Sequence, residues 1–447
     1  LAPDGSLYFG DWVSRSYPVH GLGRVWRLKL DASMANAPLP VNGMRTAEAD
    51  RQAEINAVAA KAAPPTETKV DRLTTLQGLR VRGASADEAG LSRALRDANP
   101  DVRLYAVRWI ADERLLQYRN GVAALLNGDI PDERYYLAVL GAVDWLAGER
   151  EARHSGIADG LLARELRNKQ RSPATRALAL RLISPRHKAL TIDAMRRFLT
   201  SDTPALQREA VRTLAEQPQT DRQALLAAVA KNAQKPDALR ADAVAGLARS
   251  APRHAALLRT LAGDGPGATR REANRVLRLA KLEPSPPEEK PSAENLEAWL
   301  ALLDEAPSDA ESGRRLFHSV LGARCAACHR HSGRGGRIGP ELTHIGAKLS
   351  RRRLVESILQ PSREIAPQYQ AWLLETDEGQ VLTGLRLAKA GDNGVERYAD
   401  SEGKEFTLES TQIDARYPSK ASIMPAGLEQ LVSVQDLRDL VTFLTGR

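Results

Sequence analysis

The chain has 447 residues, is 43% hydrophobic with only 4% aromatic residues, and carries 64 Lys and Arg against 56 Asp and Glu, a formal net charge of +8. That length is too great for one hydrophobic core, so several folded parts are expected, with disorder confined to linkers. No run of about eighteen apolar residues occurs, which excludes a membrane-spanning helix in this sequence, and basic residues are interspersed with acidic ones, which argues against a nucleic-acid surface.

Residues 1–30 hold two strand-like segments, Pro3 to Trp12 and Gly23 to Leu28, joined by a long loop. A two-stranded ribbon is marginal alone, and the sequence does not begin with Met, so a start inside a longer protein is expected. Residues 31–66 read as a linker with a charged helix around Thr46 to Ala62. From 67 to 283 a repeat takes over: Pro100, Pro131, Pro173, Pro204, Pro236 and Pro266 each precede an arginine by three or four residues, namely Arg103, Arg134, Arg176, Arg208, Arg240 and Arg270. An Ala- and Leu-rich helix follows each time, and proline is tolerated in a first helical turn, so each proline marks a helix start. The spacing is mostly about thirty residues and resembles HEAT-type repeats, which implies an α-solenoid of stacked units. The longer interval from Pro131 to Pro173 calls for an extra helix around Ile157 to Asn168. The repeated arginines are expected in charge pairs or helix-terminus contacts, and the array is read as a spacer or scaffold ahead of a binding surface.

Pro284 to Pro291 opens a second linker, 284–295, before a domain at 296–447. Both cysteines of the chain lie in Cys325-Ala326-Ala327-Cys328-His329, the C-x-x-C-H pattern of covalent c-type haem attachment, with Cys325 and Cys328 as anchors and His329 as the metal ligand. The alternative is half of a zinc site, completed by two of His329, His331 and His344. A proximal histidine needs an acceptor for its second ring nitrogen, and the backbone carbonyl of Pro340 is the candidate. Met424, the only methionine after Met195, is the candidate for the second axial ligand, a soft thioether that favours ferrous iron. Ser308-Asp309-Ala310-Glu311 has the form of a capping box opening a helix with Gly313 and Phe317. Val434 to Leu444 repeats at helical spacing, with Ser433 as its cap. Gly313 leaves room for that last helix, with Phe317, Leu440 and Phe443 packing at the contact. Between them, residues 367–415 depart from helical periodicity: Tyr369 to Thr376, Val381 to Lys389, Val395 to Ala399 and Phe406 to Leu408 read as a β-meander inserted ahead of Met424.

Gly313-x-x-x-Phe317, Cys325 to His329, Gly339-Pro340-x-Leu342 and Met424-Pro425 occur in the order of class I cytochrome c, which the domain resembles. Gly339 to Gly346, Glu356 to Pro361, Ser422 to Pro425 and Asp439 to Leu444 sharpen the likeness to the haem-binding C-terminal domain of planctomycete and verrucomicrobial propeller dehydrogenases. The resemblance covers about the last third of the chain. It implies a mainly α fold: a HEAT-like α-solenoid, then a cytochrome c-like domain with a β-meander insert, and at residues 1–30 a remnant of a propeller blade. It also implies one covalent haem c and electron transfer from a propeller that oxidises an alcohol or sugar-like substrate, so the chain is expected to be the electron-accepting portion of a dehydrogenase with no catalytic residue of its own. Covalent haem attachment points to the periplasm or an equivalent outer compartment. Arg324, Arg330, Arg334, Arg337 and Arg351 to Arg353 stand against one acid, Glu341, around the motif. They are read either as a solvated face or as groups that neutralise propionates and steer an acidic redox partner. The rival function is a haem-containing binding or sensor protein, whose solenoid and insert dock a partner.

Overall fold

The computed structural model describes residues 7–11, 24–28, 68–81, 85, 90–147, 156–217, 219–388 and 394–446. The chain is mainly helical, with one five-stranded sheet and two two-stranded ribbons among the described residues, and it divides into two compact units whose boundary in the main chain falls between Ala179 and Leu180. Near the N-terminus β1 (Leu7–Asp11) and β2 (Arg24–Leu28) pair as a two-stranded ribbon, where two strands were expected. The charged helix expected around Thr46 to Ala62 lies outside the described residues.

The first unit contains α1 (Lys69–Val81), α2 (Leu91–Ala94), α3 (Pro100–Asp112), α4 (Arg119–Ala124), α5 (Glu133–Leu146) and α6 (Gly156–Arg167), followed by α7 (Pro173–Leu182), which runs across the boundary. Local chemistry sets the starts. Pro100 occupies the first turn of α3 while the Asn99 side chain accepts from Asp101 N–H, and Asp132 accepts from Tyr135 N–H at the start of α5. Val102, Val107, Trp109 and Ile110 on α3, and Tyr136, Val139 and Val143 on α5, are buried at helical spacing. The extra helix in the long interval is α6.

The second unit begins with α8 (Ile192–Leu199), α9 (Pro204–Ala215), α10 (Thr220–Lys231), α11 (Asp237–Gly246), α12 (Ala255–Asp264) and α13 (Gly267–Leu279). The repeat arginines do two things here and upstream. Arg134 pairs with Asp101 at 2.8 Å, and Arg176 and Arg240 each donate to a carbonyl in the last turn of the preceding helix, Leu166 O at 3.4 Å and Ala230 O at 3.0 Å. Such donors satisfy orphan carbonyls at a helix end.

Next come α14 (Leu296–Asp304), α15 (Ala310–Phe317), the hairpin strands β3 (Arg330–His331) and β4 (Arg334–Gly335), α16 (Ile345–Lys348) and α17 (Arg351–Leu359). Asp309, rather than Ser308, caps α15: its carboxylate accepts from Ser312 N–H, and its own N–H donates to Asp439 Oδ1 at 2.9 Å, so the expected capping box does not form. The last helix, α18 (Val434–Thr445), has the expected Ser433 cap, completed by Asp436. A Cβ on Gly313 would stand 2.0 Å from Asp439 O, which shows how tightly α15 and α18 approach. Phe317 and Phe443 meet there with ring centroids 5.7 Å apart. Trp299, Leu316, Phe317, Val355, Leu440 and Val441 form the core beneath.

The insert is a five-stranded antiparallel sheet, β5 (Ala371–Thr376), β6 (Val381–Ala388), β7 (Val395–Ala399), β8 (Glu405–Glu409) and β9 (Ile413–Pro418), in the order β8-β7-β6-β5-β9. Four strands match expectation. The fifth was not foreseen, because its residues Ile413 to Pro418 include Asp414, Arg416 and a terminal proline. The insert therefore ends at Pro418, beyond the expected boundary at 415.

Leu180 to Arg447, with the expected linker at 284–295, fall in one compact unit. The Pro-rich segment is tied down: Lys290 Nζ donates to Glu429 O at 3.0 Å and Val432 O at 2.7 Å, and Glu288 accepts from Val434 N–H at 3.0 Å. Behind it Arg275 on α13 is buried and binds Asp436 at 2.7 Å, Glu272 at 3.0 Å and Ser312 O at 2.9 Å, joining both helices of the close pair to the helical array. Arg315 binds Glu272 at 2.9 Å, and Arg314 reaches Asp242.

Candidate functional site

Cys325–Ala327 form a short helical turn entered through Arg324 at φ 51°, and the turn closes with His329 N–H donating to Cys325 O at 2.9 Å. The β3–β4 hairpin then folds back on it, with Gly336 N–H on Ala326 O at 2.8 Å and Ile338 and Gly339 N–H both on Cys328 O, at 3.0 and 2.9 Å. This frame points His329 Nδ1 at Pro340 O, 2.9 Å away. A carbonyl only accepts, so Nδ1 carries the proton and the Nε2 lone pair is left as the ligating position. Gly339 is required for this: a Cβ there would stand 2.6 Å from His329 Cε1.

His329 opens on an apolar pocket, whose lining includes Cys325, Met424, Phe317, Leu342 and Leu440. Met424 sits in the loop between β9 and α18, held by its N–H to Ser422 Oγ at 3.1 Å, while Ser422 N–H donates to Ser362 Oγ at 3.0 Å. Cys325, His329 and Met424 are therefore brought to one cavity. Cys328 is not on its lining; it packs toward the insert instead.

Burial pushes the His329 imidazole below its ordinary value, with the Pro340 carbonyl opposing, so the ring is neutral near pH 7. Burial also pushes the Cys325 thiol up to about 12 and raises Cys328, against the pull of Arg324. Both sulfurs are thus thiols rather than thiolates near neutral pH. His331 is engaged elsewhere, its ring centroid 4.2 Å from that of Phe443 and its Nδ1 3.0 Å from Ser332 Oγ, and His344 is exposed. Among the described residues no group of three or more His, Cys, Asp or Glu side chains is placed to hold a metal ion.

The basic segment separates into distinct roles. Arg334 is only 7% exposed and neither faces solvent nor is free to steer a partner: it binds Glu209 at 3.0 Å, Glu216 at 2.6 Å and Thr213 Oγ1 at 2.9 Å. Arg351 and Arg352 pair with Asp304 at 3.0 Å and Glu297 at 2.5 Å, and Arg353 with Glu356 and Glu364. The acids that receive Arg314, Arg315 and Arg334, namely Asp242, Glu272 and Glu209, were missed in the sequence. Their signal was a carboxylate among the inward-facing residues of α9, α11 and α13.

The chain matches no protein-family model, and no curated protein is similar to it. Among the described residues no helix is long and apolar enough to cross a membrane.

Proposed function

We propose that this chain is an electron-transfer protein with one covalent haem c, the electron-accepting portion of a periplasmic multidomain dehydrogenase. In this reading residues 296–447 are a class I cytochrome c-like domain, residues 67–283 a HEAT-like solenoid, and the two N-terminal strands belong to a propeller that oxidises an alcohol or sugar-like substrate. One observation carries it: Cys325, His329 and Met424 line the same apolar cavity, with the His329 Nδ1 proton committed to Pro340 O at 2.9 Å. The fit to the group is chemical. The pocket is apolar, and its donors are the neutral imidazole and soft sulfur that iron porphyrins take.

When bound, the group supplies a one-electron ferric/ferrous couple. Cys325 and Cys328 would hold it through thioether bonds, formed by addition of each S–H across a vinyl double bond. His329 would ligate through Nε2, its orientation set by Pro340 and by the absence of a side chain at Gly339. Met424 would stabilise the ferrous state. The apolar lining limits water and favours transfer without ligand exchange.

Mass spectrometry of protein matured with haem-attachment machinery tests the reading: the expected mass is the polypeptide plus one haem, and an unmodified polypeptide overturns it. Met424→Ala should keep the haem but change its spin state and lower its potential. An unchanged spectrum and potential would transfer the sixth-ligand role to another side chain.

A further inference from the structure

The five-stranded sheet has no part in the chemistry above, yet its packing is specific. Ala371, Leu385 and Ala399 are directly paired across β5, β6 and β7 and form a buried apolar row. That row shares one core with Ile338, Ile423 and Cys328. Cys328 precedes His329, Ile338 lies two residues before Pro340, and Ile423 precedes Met424. One patch of sheet therefore grips both the loop that carries His329 and the loop that carries Met424.

Two further contacts reinforce the grip. Where β9 ends, Ser419 N–H donates to Ala371 O at 2.9 Å and Gln370 Nε2 to Ser419 O at 2.6 Å, so the chain leading to Met424 leaves directly from the sheet. At the other end, the β7–β8 turn rests on the cysteine motif: Gly403, at φ +80°, would place a Cβ 3.2 Å from Ala327 O and 3.3 Å from Cys328 Sγ.

We propose that the insert is a clamp which holds the Met424 loop against the Cys328–His329 loop, and that it keeps the sixth ligand from being displaced by small solutes. The proposal deepens the haem reading and rests on it. A competing ligand gains access only in the fraction of molecules whose Met424 loop is open, so weakening the clamp raises apparent ligand affinity by the same factor as it raises that fraction.

The test uses Gly403→Val, a β-branched residue at positive φ pressed on the motif, and Leu385→Ala, which hollows the apolar row. Val381→Thr is the control, because Val381 is 63% exposed. In haem-loaded protein, imidazole should displace the native sixth ligand about tenfold more tightly in both variants than in the wild type or control, with the haem mass retained. In haem-free chains, mapped alkylation of Cys328 should be about tenfold faster in both variants, with the helical circular dichroism unchanged. Faster alkylation with unchanged imidazole affinity overturns the clamp, as does no change in either. Absence of haem from every form removes the haem reading and the clamp together, which is distinct from loss of the clamp alone. If both variants fail to fold, hydrogen exchange in the wild-type chain decides: amides of 419–427 should be protected to the same degree as those of β5, and markedly faster exchange overturns the proposal.

Discussion

Replacing Arg334 by Met tests whether the hairpin behind His329 is held by the helical array. The Arg334 side chain is buried with that of Glu209, at 7% and 3% exposure. Its Nη2 and Nε lie 3.0 and 3.3 Å from Glu209 Oε2, and Nη1 lies 2.6 Å from Glu216. Breaking a buried pair by removing one partner costs about 3–5 kcal/mol, because a charge is left behind. Glu209 keeps Arg181 at 3.2 Å and Arg212 at 3.3 Å, which places the cost at the lower end, about 3 kcal/mol. The Met side chain keeps the apolar stem, so packing loss adds little. In hydrogen exchange read by peptide mass spectrometry, a loss of that size speeds opening-limited exchange roughly a hundredfold, at about 1.4 kcal/mol per tenfold. The acceleration should appear in two segments at once, 326–339 around the hairpin and 204–215 on α9. Adding Glu209→Met should not recover the loss, because Arg181 and Arg212 then lose the carboxylate they share. A change below about 0.5 kcal/mol, the size of an exposed pair, would refute the reasoning, and so would a change confined to 326–339.

Gly313→Ala should cost more than about 3 kcal/mol, because a Cβ 2.0 Å from Asp439 O forces backbone apart; a thermal melt shifted by only a degree or two would contradict the close approach. Gly339→Ala should push the His329 ring off Pro340 O, seen by NMR in the haem-free chain as a changed Nδ1 environment, whereas an unaltered imidazole spectrum would show that the ring accommodates the methyl. Burial alone would raise Glu209, but the guanidiniums of Arg334, Arg212 and Arg181 outweigh it and hold its carboxyl below the ordinary range. A depressed folded value stabilises above the unfolded one, so urea midpoints should be flat near neutral pH and decline as the pH falls through and below about 4.3. Glu209→Gln should flatten that acid limb, and an identical limb in the variant would rule this carboxylate out as its source.

What could be read in the sequence divides by the range of the physics involved. Helix starts at Pro100 and Pro204, the Ser433 cap and four of the five strands depend on near neighbours, and they were placed closely. The Asp309 cap fell one residue from Ser308 because both residues can accept a hydrogen bond and only the backbone path chooses between them. The bond from His329 to Pro340 was legible because eleven residues and a proline turn leave the ring few acceptors. Contacts set by tertiary packing were not. Nothing near Arg334 in the sequence points to Glu209, which lies 125 residues away, and a run of arginines beside one glutamate looks the same whether its partners are solvent, a ligand or a distant helix. The buried carboxylates were the recoverable signal. Glu209, Asp242 and Glu272 fall among the inward-facing residues of α9, α11 and α13, where a charge is costly unless a cation meets it. Three acids at equivalent places in successive repeats, together with an arginine-rich segment downstream that has only Glu341 as an acid of its own, imply one another. The same reasoning explains why α8 to α13 and the cysteine-bearing part fall in a single compact unit: separating them would strand several buried charges at once.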